Sequence, residues 1–594
     1  MRAASVERAV RAAASVALTL TLTLTLTLTL TLAGACKRGD DLTGSPGAAP
    51  TASPSLIASV APATTTTAAP VTAAHDQAKA CAPRRDITFF VSPRTPVADR
   101  PLRVMALSDA PRKDALRLSR DGAELKDRAT PRGGPPFSWT VELPRPASGV
   151  YRASLGDACV DVDVAADEPT TLAARSPWIA WPVREAWSRA YEDLYSAWIE
   201  RLFDAPADQQ LTYSALHDVL RDPTRNLLHD YLGEGEDDAQ PQRDKPVVIQ
   251  PDCADLPYFL RAYFAYKMGL PFGYSSCTRG GGGQAPHCLK WHSNIEKGRG
   301  AGRDAAEAFG EFLRVNVADT VHSGTGRTRA EGDEGDYYAV KTTLESLRPG
   351  TIYADPYGHV LVVVKRAAGK DGKSGVLYAV DGQPDGTVSR RRFWRGNFLY
   401  AIDPGLGSAG FKRFRPVVMD GARPRSLGNA EILSNPDYGD FSLAEYEGGV
   451  EAFYDRMDDA LSPTPLDPTV ALLEMIDTFE EQVKGRVVSV ANGQKYLAQG
   501  GETIDMPEGP EIFETTGKWE DFSTPSRDMR LLIAIDVVTG FSARVKRRPE
   551  RFAIPKSAEI EDVARGLDER LTAELARRRF TYTRSDGSAF ELSL

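Results

Sequence analysis

Two stretches of the chain carry side chains that could do covalent chemistry. The first is Gln250-Pro251-Asp252-Cys253-Ala254-Asp255-Leu256. Beyond it, apolar residues fall at Phe259, Leu260, Tyr263, Phe264 and Met268, the spacing of one helix face, and Gly269 with Pro271 supplies the stop. Pro251 before the run and Asp255 in its first turn put Cys253 at or just before the helix N-terminus. Partial positive charge there favours a thiolate over a thiol, so Cys253 is a candidate nucleophile. A nucleophile needs a base.

The second stretch supplies one. After Leu347-Arg348-Pro349-Gly350-Thr351-Ile352-Tyr353 comes Gly358-His359, then Val360-Leu361-Val362-Val363-Val364, which reads as a fully buried strand with His359 at its leading end. A turn around Lys370-Asp371-Gly372-Lys373 leads to a return strand, Val376 to Asp381. The start of one hairpin strand faces the end of the other, so Asp381 falls opposite His359 to within a couple of residues. There it could orient the imidazole and stabilise the imidazolium. A strand-end histidine making a satisfied hydrogen bond is the bland alternative; the full order of nucleophile, base and acidic orienter favours catalysis.

These elements sit within a longer chain. At 594 residues, two to four domains are expected. A net charge of −9, with no Lys/Arg-rich run, sets nucleic-acid binding aside. Residues 1–35 read as a secretory signal: Arg2, Arg8 and Arg11, an alternating Leu/Thr run from Leu18 to Leu32, then small residues before Cys36. A retained membrane anchor is the alternative. Leu-Ala-Gly-Ala-Cys also resembles a bacterial lipoprotein signal, which implies lipidation of Cys36, a membrane partner through the anchor, and a place in the periplasm or on the cell surface. Ala33 stands where that pattern prefers Leu.

An exported chain can form disulfides. If Cys36 is lipidated, Cys81 and Cys159 bracket one β-rich segment and Cys277 and Cys288 flank a Gly-rich loop, so each pair can bridge. Cys253 is left over. Residues 36–80, rich in Ala, Thr and Pro, read as a disordered tether. Short strands between turns over 81–168 suggest an immunoglobulin-like β-sandwich, with Ile87 to Val91, Leu102 to Leu107, Leu116 to Leu118, Phe137 to Leu143 and Val150 to Val164 as its strands.

Helical spacing runs from Pro177 to about Leu232, within a helical region at 175–240, and its Trp and Tyr stripe reads as core. The acidic run Glu234 to Asp238 reads as a solvated loop, with cation binding as the alternative. Gly280 to Gly283 form a flexible loop; His287, Cys288 and His292 with Cys277 match zinc spacing only loosely, so no metal is expected. Residues 425–594 read as a mainly helical domain, with helices near Leu443 to Leu461, Thr469 to Leu497, Ser526 to Phe541 and Ile560 to Arg578, ending in a hairpin around Asp586-Gly587. A cover over the cleft is its expected role.

Asp252-Cys253-Ala254-Asp255-Leu256, Gly269-Leu270-Pro271, Pro349-Gly350-Thr351-Ile352 and Gly358-His359-Val360 together resemble the NlpC family of cell-wall cysteine peptidases. The resemblance covers residues 245–405 and implies a papain-like α+β domain with Cys253 as nucleophile, His359 as base and Asp381 as the orienting polar group. Ala254 and Asp255 depart from the family's Ser-Gly at the substrate-binding end of the helix, and an insertion lengthens the span from Cys253 to His359. The expected protein is therefore a multidomain α+β cell-envelope hydrolase, cleaving an amide bond in peptidoglycan stems or another peptide. Gln250 is a candidate oxyanion donor, Asp252 a candidate substrate contact, and no cofactor is needed. A transglutaminase-like acyl transferase and a non-catalytic envelope scaffold are the alternatives.

Overall fold

The computed structural model describes residues 81, 84, 86–167, 179–206, 209, 211–238, 248–296, 304–502, 505, 524–584 and 586–594. The expected leader, Cys36 and the tether lie outside the described residues. The fold is mixed α and β, and all the strand pairs named below are antiparallel.

The N-terminal strands are β1 (Thr88–Ser92), β2 (Leu102–Ser108), β3 (Arg117–Arg120), β4 (Ala123–Glu124), β5 (Thr130–Arg132), β6 (Phe137–Leu143), β7 (Gly149–Leu155) and β8 (Ala158–Val164). They form two four-stranded sheets, β1-β2-β6-β5 and β4-β3-β7-β8. Alternation decides their core: Leu102, Val104 and Val141 of one sheet join Leu118, Tyr151, Ala153 and Leu155 of the other in one apolar cluster. The run Val150 to Val164 is a hairpin rather than one strand, because Gly156 takes φ +62° at its middle. A Cys81–Cys159 disulfide closes the unit.

Downstream, the helical expectation holds only in part. Helix α1 spans Arg189–Leu202, and Trp181 and Trp187 precede it in irregular chain. Pro182 between them cannot sit in a helix interior, so the spacing of this stripe has a different origin. Each indole N–H is held by a carbonyl past the end of a later helix: Trp181 donates to Leu270 O at 2.8 Å and Trp187 to Pro271 O at 2.7 Å. That helix, α2 (Asp255–Met268), follows a short helical turn at Leu216–Leu220 and ends at Gly269 in the left-handed conformation, φ +69°.

The periodicity of α2 predicts one buried face, yet every residue from Asp255 to Met268 is buried. The charged side chains on its other faces have partners waiting. Glu192 of α1 binds Arg261 through two hydrogen bonds, and the Arg261 guanidinium lies 3.4 Å from the Trp187 ring centroid. The Lys267 ammonium is fully buried between Glu236 and Asp237. The acidic run is therefore not a solvated loop: its cation is the lysine of α2.

The remaining strands build the scaffold of the site: β9 (Thr212–Tyr213), β10 (Gly273–Cys277), β11 (Cys288–Ser293), β12 (Tyr337–Ala339), β13 (Ile352–Ala354), β14 (Val360–Ala367), β15 (Val376–Gly382), β16 (Val388–Phe393) and β17 (Gly410–Phe414). Seven of them form one sheet, β12-β17-β13-β14-β15-β16-β9, while β10 and β11 form a hairpin apart. Val360, Val362, Val364 and Val380 face the cluster that holds α2; Leu361, Val363, Leu377 and Ala379 face a second cluster with Phe453 and Leu461 of α3 (Gly449–Leu461). Cover on both faces explains the unbroken valine run.

The chain ends in α4 (Pro468–Ala498), α5 (Thr524–Thr539), α6 (Phe541–Arg547) and α7 (Ile560–Arg577), with a hairpin of Arg579–Thr583 and Ala589–Ser593. The helices share an apolar cluster from Leu472 to Leu571. No helix among the described residues is long and apolar enough to cross a membrane.

Candidate active site

The nucleophile candidate is fixed by its own helix start. Asp252 Oδ1 accepts hydrogen bonds from the backbone N–H of Ala254 (2.8 Å) and Asp255 (2.9 Å), and Leu256 N–H bonds Asp252 O. Asp252 thus holds the turn that leads into α2, and Cys253 lies in that turn just before the helix, where the sequence puts it. Two further contacts set how close this turn comes to the sheet. The Cys253 thiol donates to Gly358 O across 3.8 Å, and a Cβ on Gly382 would stand 2.3 Å from Asp252 O. Only glycine at 382 lets the capped turn rest on the end of β15. Cys253 is 4% exposed and belongs to neither disulfide.

The base and its orienter meet across the β14–β15 hairpin. Val362 pairs with Val380, so carrying the register outward sets Leu361 opposite Asp381 and leaves His359 diagonal to it. His359 Nε2 and Asp381 Oδ2 are 2.7 Å apart. The other ring nitrogen, Nδ1, is buried, and the second side chain that bonds the ring is Cys253. Burial disfavours the imidazolium, but the charges of Asp381 and then Cys253 outweigh it and hold His359 well above the ordinary imidazole range. The histidine side chain keeps 20% of its surface exposed, whereas Asp381 keeps 1%.

Asp381 remains ionised against the cost of that burial. Arg391, with Nε 3.5 Å from Oδ2, then His359 and Gln383, hold its carboxyl below the usual carboxylate range. Gln383 donates to Oδ1 from two residues further along the chain, so Asp381 is gripped from both sides. Gln383 and Arg391 escape a reading of the sequence, which names only the acid. The signal for Gln383 was local: a second polar side chain on the same strand side, two residues on.

The candidate substrate and oxyanion residues frame the same turn. Gln250 is exposed, and its side chain lies against Gly386, 2.7 Å from where a Cβ there would stand. It therefore rests on the turn that follows Asp381. Asp252 is also exposed, although one of its oxygens is committed to the turn before α2. Asp255 is buried, and burial together with the neighbouring Asp252 charge pushes its carboxyl up to about 7. Asp255 thus places a carboxyl with raised proton affinity two residues from Cys253, where the family pattern has Gly.

Cys277 and Cys288 form a disulfide across β10–β11, closing the Gly-rich loop. Their sulfurs are consumed, His287 pairs with Thr278 and His292 with Glu296, and no metal-binding cluster occurs among the described residues. With Cys81–Cys159 this makes two disulfides, as an oxidising, extracytoplasmic compartment allows. Comparison with family models, curated proteins and solved structures found no match.

Proposed function

We propose that the chain is a cysteine hydrolase of the cell envelope that cleaves an amide bond through Cys253, His359 and Asp381. The observation that carries this reading is the 2.7 Å contact between His359 and Asp381, with Cys253 on a helix start beside the same ring. The Cys253 sulfur attacks the carbonyl carbon while its proton resides on His359. His359 then passes that proton to the leaving amine, and a thioester remains. Water, deprotonated by the same imidazole, releases the acid and restores the thiol. Asp381 holds the ring and balances its charge.

The first-turn amides of Ala254 and Asp255 are taken by Asp252, so the oxyanion falls to the Cys253 N–H, with Gln250 as the second donor. Losing one such donor slows turnover by about 10²–10³. The resemblance to the NlpC family supports a papain-like arrangement for residues 245–405 and peptidoglycan stem peptides as the first substrate to try, while the two four-stranded antiparallel sheets support an immunoglobulin-like type for the sandwich. Cys36 carries the lipid anchor in this reading.

The test is incubation of the full chain with soluble peptidoglycan fragments and mass spectrometry of the products, beside Cys253→Ala. Cleavage lost in the variant supports a hydrolase. Products that appear only as amides of an added amine point to acyl transfer, and no product in either protein favours the scaffold.

A further inference from the structure

The base stands at the end of a turn, Asp355-Pro356-Tyr357-Gly358-His359, that joins β13 to β14. Asp355 organises all of it. Its N–H donates to His359 O at 2.7 Å, its carbonyl accepts from Gly358 N–H at 3.3 Å, and its Oδ1 accepts from Tyr357 N–H at 2.8 Å. Gly358, at φ +104°, adopts a conformation open to glycine and directs its carbonyl to the Cys253 sulfur. Two of these bonds are main-chain, and the carboxylate adds the third at the middle of the turn, between the two strands that carry the site; that carboxylate is buried, with 2% of its side chain exposed.

A buried carboxylate needs a counter-charge. It comes from 175 residues further along the chain: Arg530 of α5 donates from Nη1 to Asp355 Oδ2 at 3.0 Å and from Nη2 to Oδ1 at 3.3 Å. This two-pronged pairing fixes orientation as well as charge. The C-terminal helices that carry Arg530 are docked independently elsewhere. Arg547 binds Asp455 of α3, Arg548 binds Asp459, and Asp467 N–H, at the start of α4, bonds Gly372 O in the β14–β15 turn. Loss of the Arg530 contact alone therefore leaves the helices attached.

Resting on the Cys253–His359–Asp381 reading, we propose that Arg530 is a positioning residue: through Asp355 it sets the turn that presents His359 and the Gly358 carbonyl to Cys253. The C-terminal helical domain is then part of the catalytic apparatus rather than only a cover over the cleft. Tyr353 of β13 and Tyr357 of the turn also lie close enough to act on the Arg530 charge.

The experiment follows iodoacetamide labelling of Cys253 against pH in the full chain, for wild type, His359→Ala, Arg530→Gln and Arg530→Lys, with thermal unfolding recorded for each. Arg530→Gln is expected to lower the labelling rate near pH 6 by on the order of tenfold to a hundredfold, toward the His359→Ala profile, since displacements of about 1 Å cost that much. Arg530→Lys, which keeps the charge and loses the fork, should fall between, and millimolar guanidinium should restore part of the rate in Arg530→Gln. A wild-type pH profile in Arg530→Gln overturns the inference, and so does a loss that neither lysine nor guanidinium corrects. Labelling of the wild type that ignores His359 overturns the triad reading and this inference with it; labelling that needs His359 and ignores Arg530 overturns the inference alone.

Discussion

The β-sandwich and the sheet that carries His359 are both antiparallel, but they place charge in opposite ways. In the sandwich, strand centres are apolar and ion pairs such as Arg84–Asp86 and Arg152–Asp161 lie at the surface. Around the second sheet the charges go inside: Arg261 with Glu192, Lys267 with Glu236 and Asp237, Arg348 with Asp193, His359 with Asp381. Burying a pair seldom adds stability over an apolar substitute. Its value here is placement: Glu192, Glu236 and Asp237 hold the helix that follows Cys253, Asp193 ties α1 to the chain leading into β13, and Asp381 holds His359 itself.

The contrast is broken most severely at Lys267. Lys267→Met strands two carboxylates in the interior and should cost about 3–5 kcal/mol in urea unfolding. Adding Glu236→Gln and Asp237→Asn to that variant should recover much of the loss. Failure to recover would mean the lysine stem, not its charge, holds α2.

Asp381→Asn acts on the site itself. Turnover should fall by about 10²–10⁴, the range for general acid–base assistance. The variant should also flatten the dependence of stability on pH. His359 is raised, so its contribution is present below about 6.5 and lost as pH climbs through the raised value. Asp381 is lowered, so its contribution is present above about 4 and lost as pH falls through the lowered value. Wild type should weaken at both ends and the variant less at each, read by thermal midpoints across pH.

Gly382→Ala keeps every charge and changes only the approach of Asp252 to the sheet. The added methyl meets the Asp252 carbonyl, so activity should drop by at most about 10²-fold with a smaller change in unfolding. Equal activity would show that the capped turn can withdraw without harm. The mildest change is in the sandwich: Arg152→Ala, at an exposed pair, should leave the unfolding midpoint within reproducibility.

The same contrast explains what could be read from the sequence. The helix behind Cys253, its stop at Gly269, the hairpin that joins His359 to Asp381 and the Cys277–Cys288 disulfide rest on local periodicity and short spacings, and these features were legible; Cys81–Cys159, 78 residues apart, was legible only as a pair bracketing one β-rich segment. The apolar stripe of α2 was legible too, but its burial on all sides was not, because Glu192 lies 69 residues before Arg261. Arg261 and Lys267 look like a solvated face until the partners are known. Trp181 and Trp187 mimic helical spacing while serving carbonyls about 85 to 90 residues away, and Arg530 reaches Asp355 over a still longer gap. Gln383 was near enough in sequence to be found, and only its role in gripping Asp381 required the structure.

The most direct test of the central pairing is the pH dependence of Cys253 alkylation by iodoacetamide, wild type beside His359→Ala. An activated pair predicts rapid labelling well below the free-thiol pKa of about 8.5, lost when His359 is removed. Slow labelling that follows an ordinary thiol titration in both proteins would contradict a thiolate–imidazolium pair and leave Cys253 as a buried structural residue.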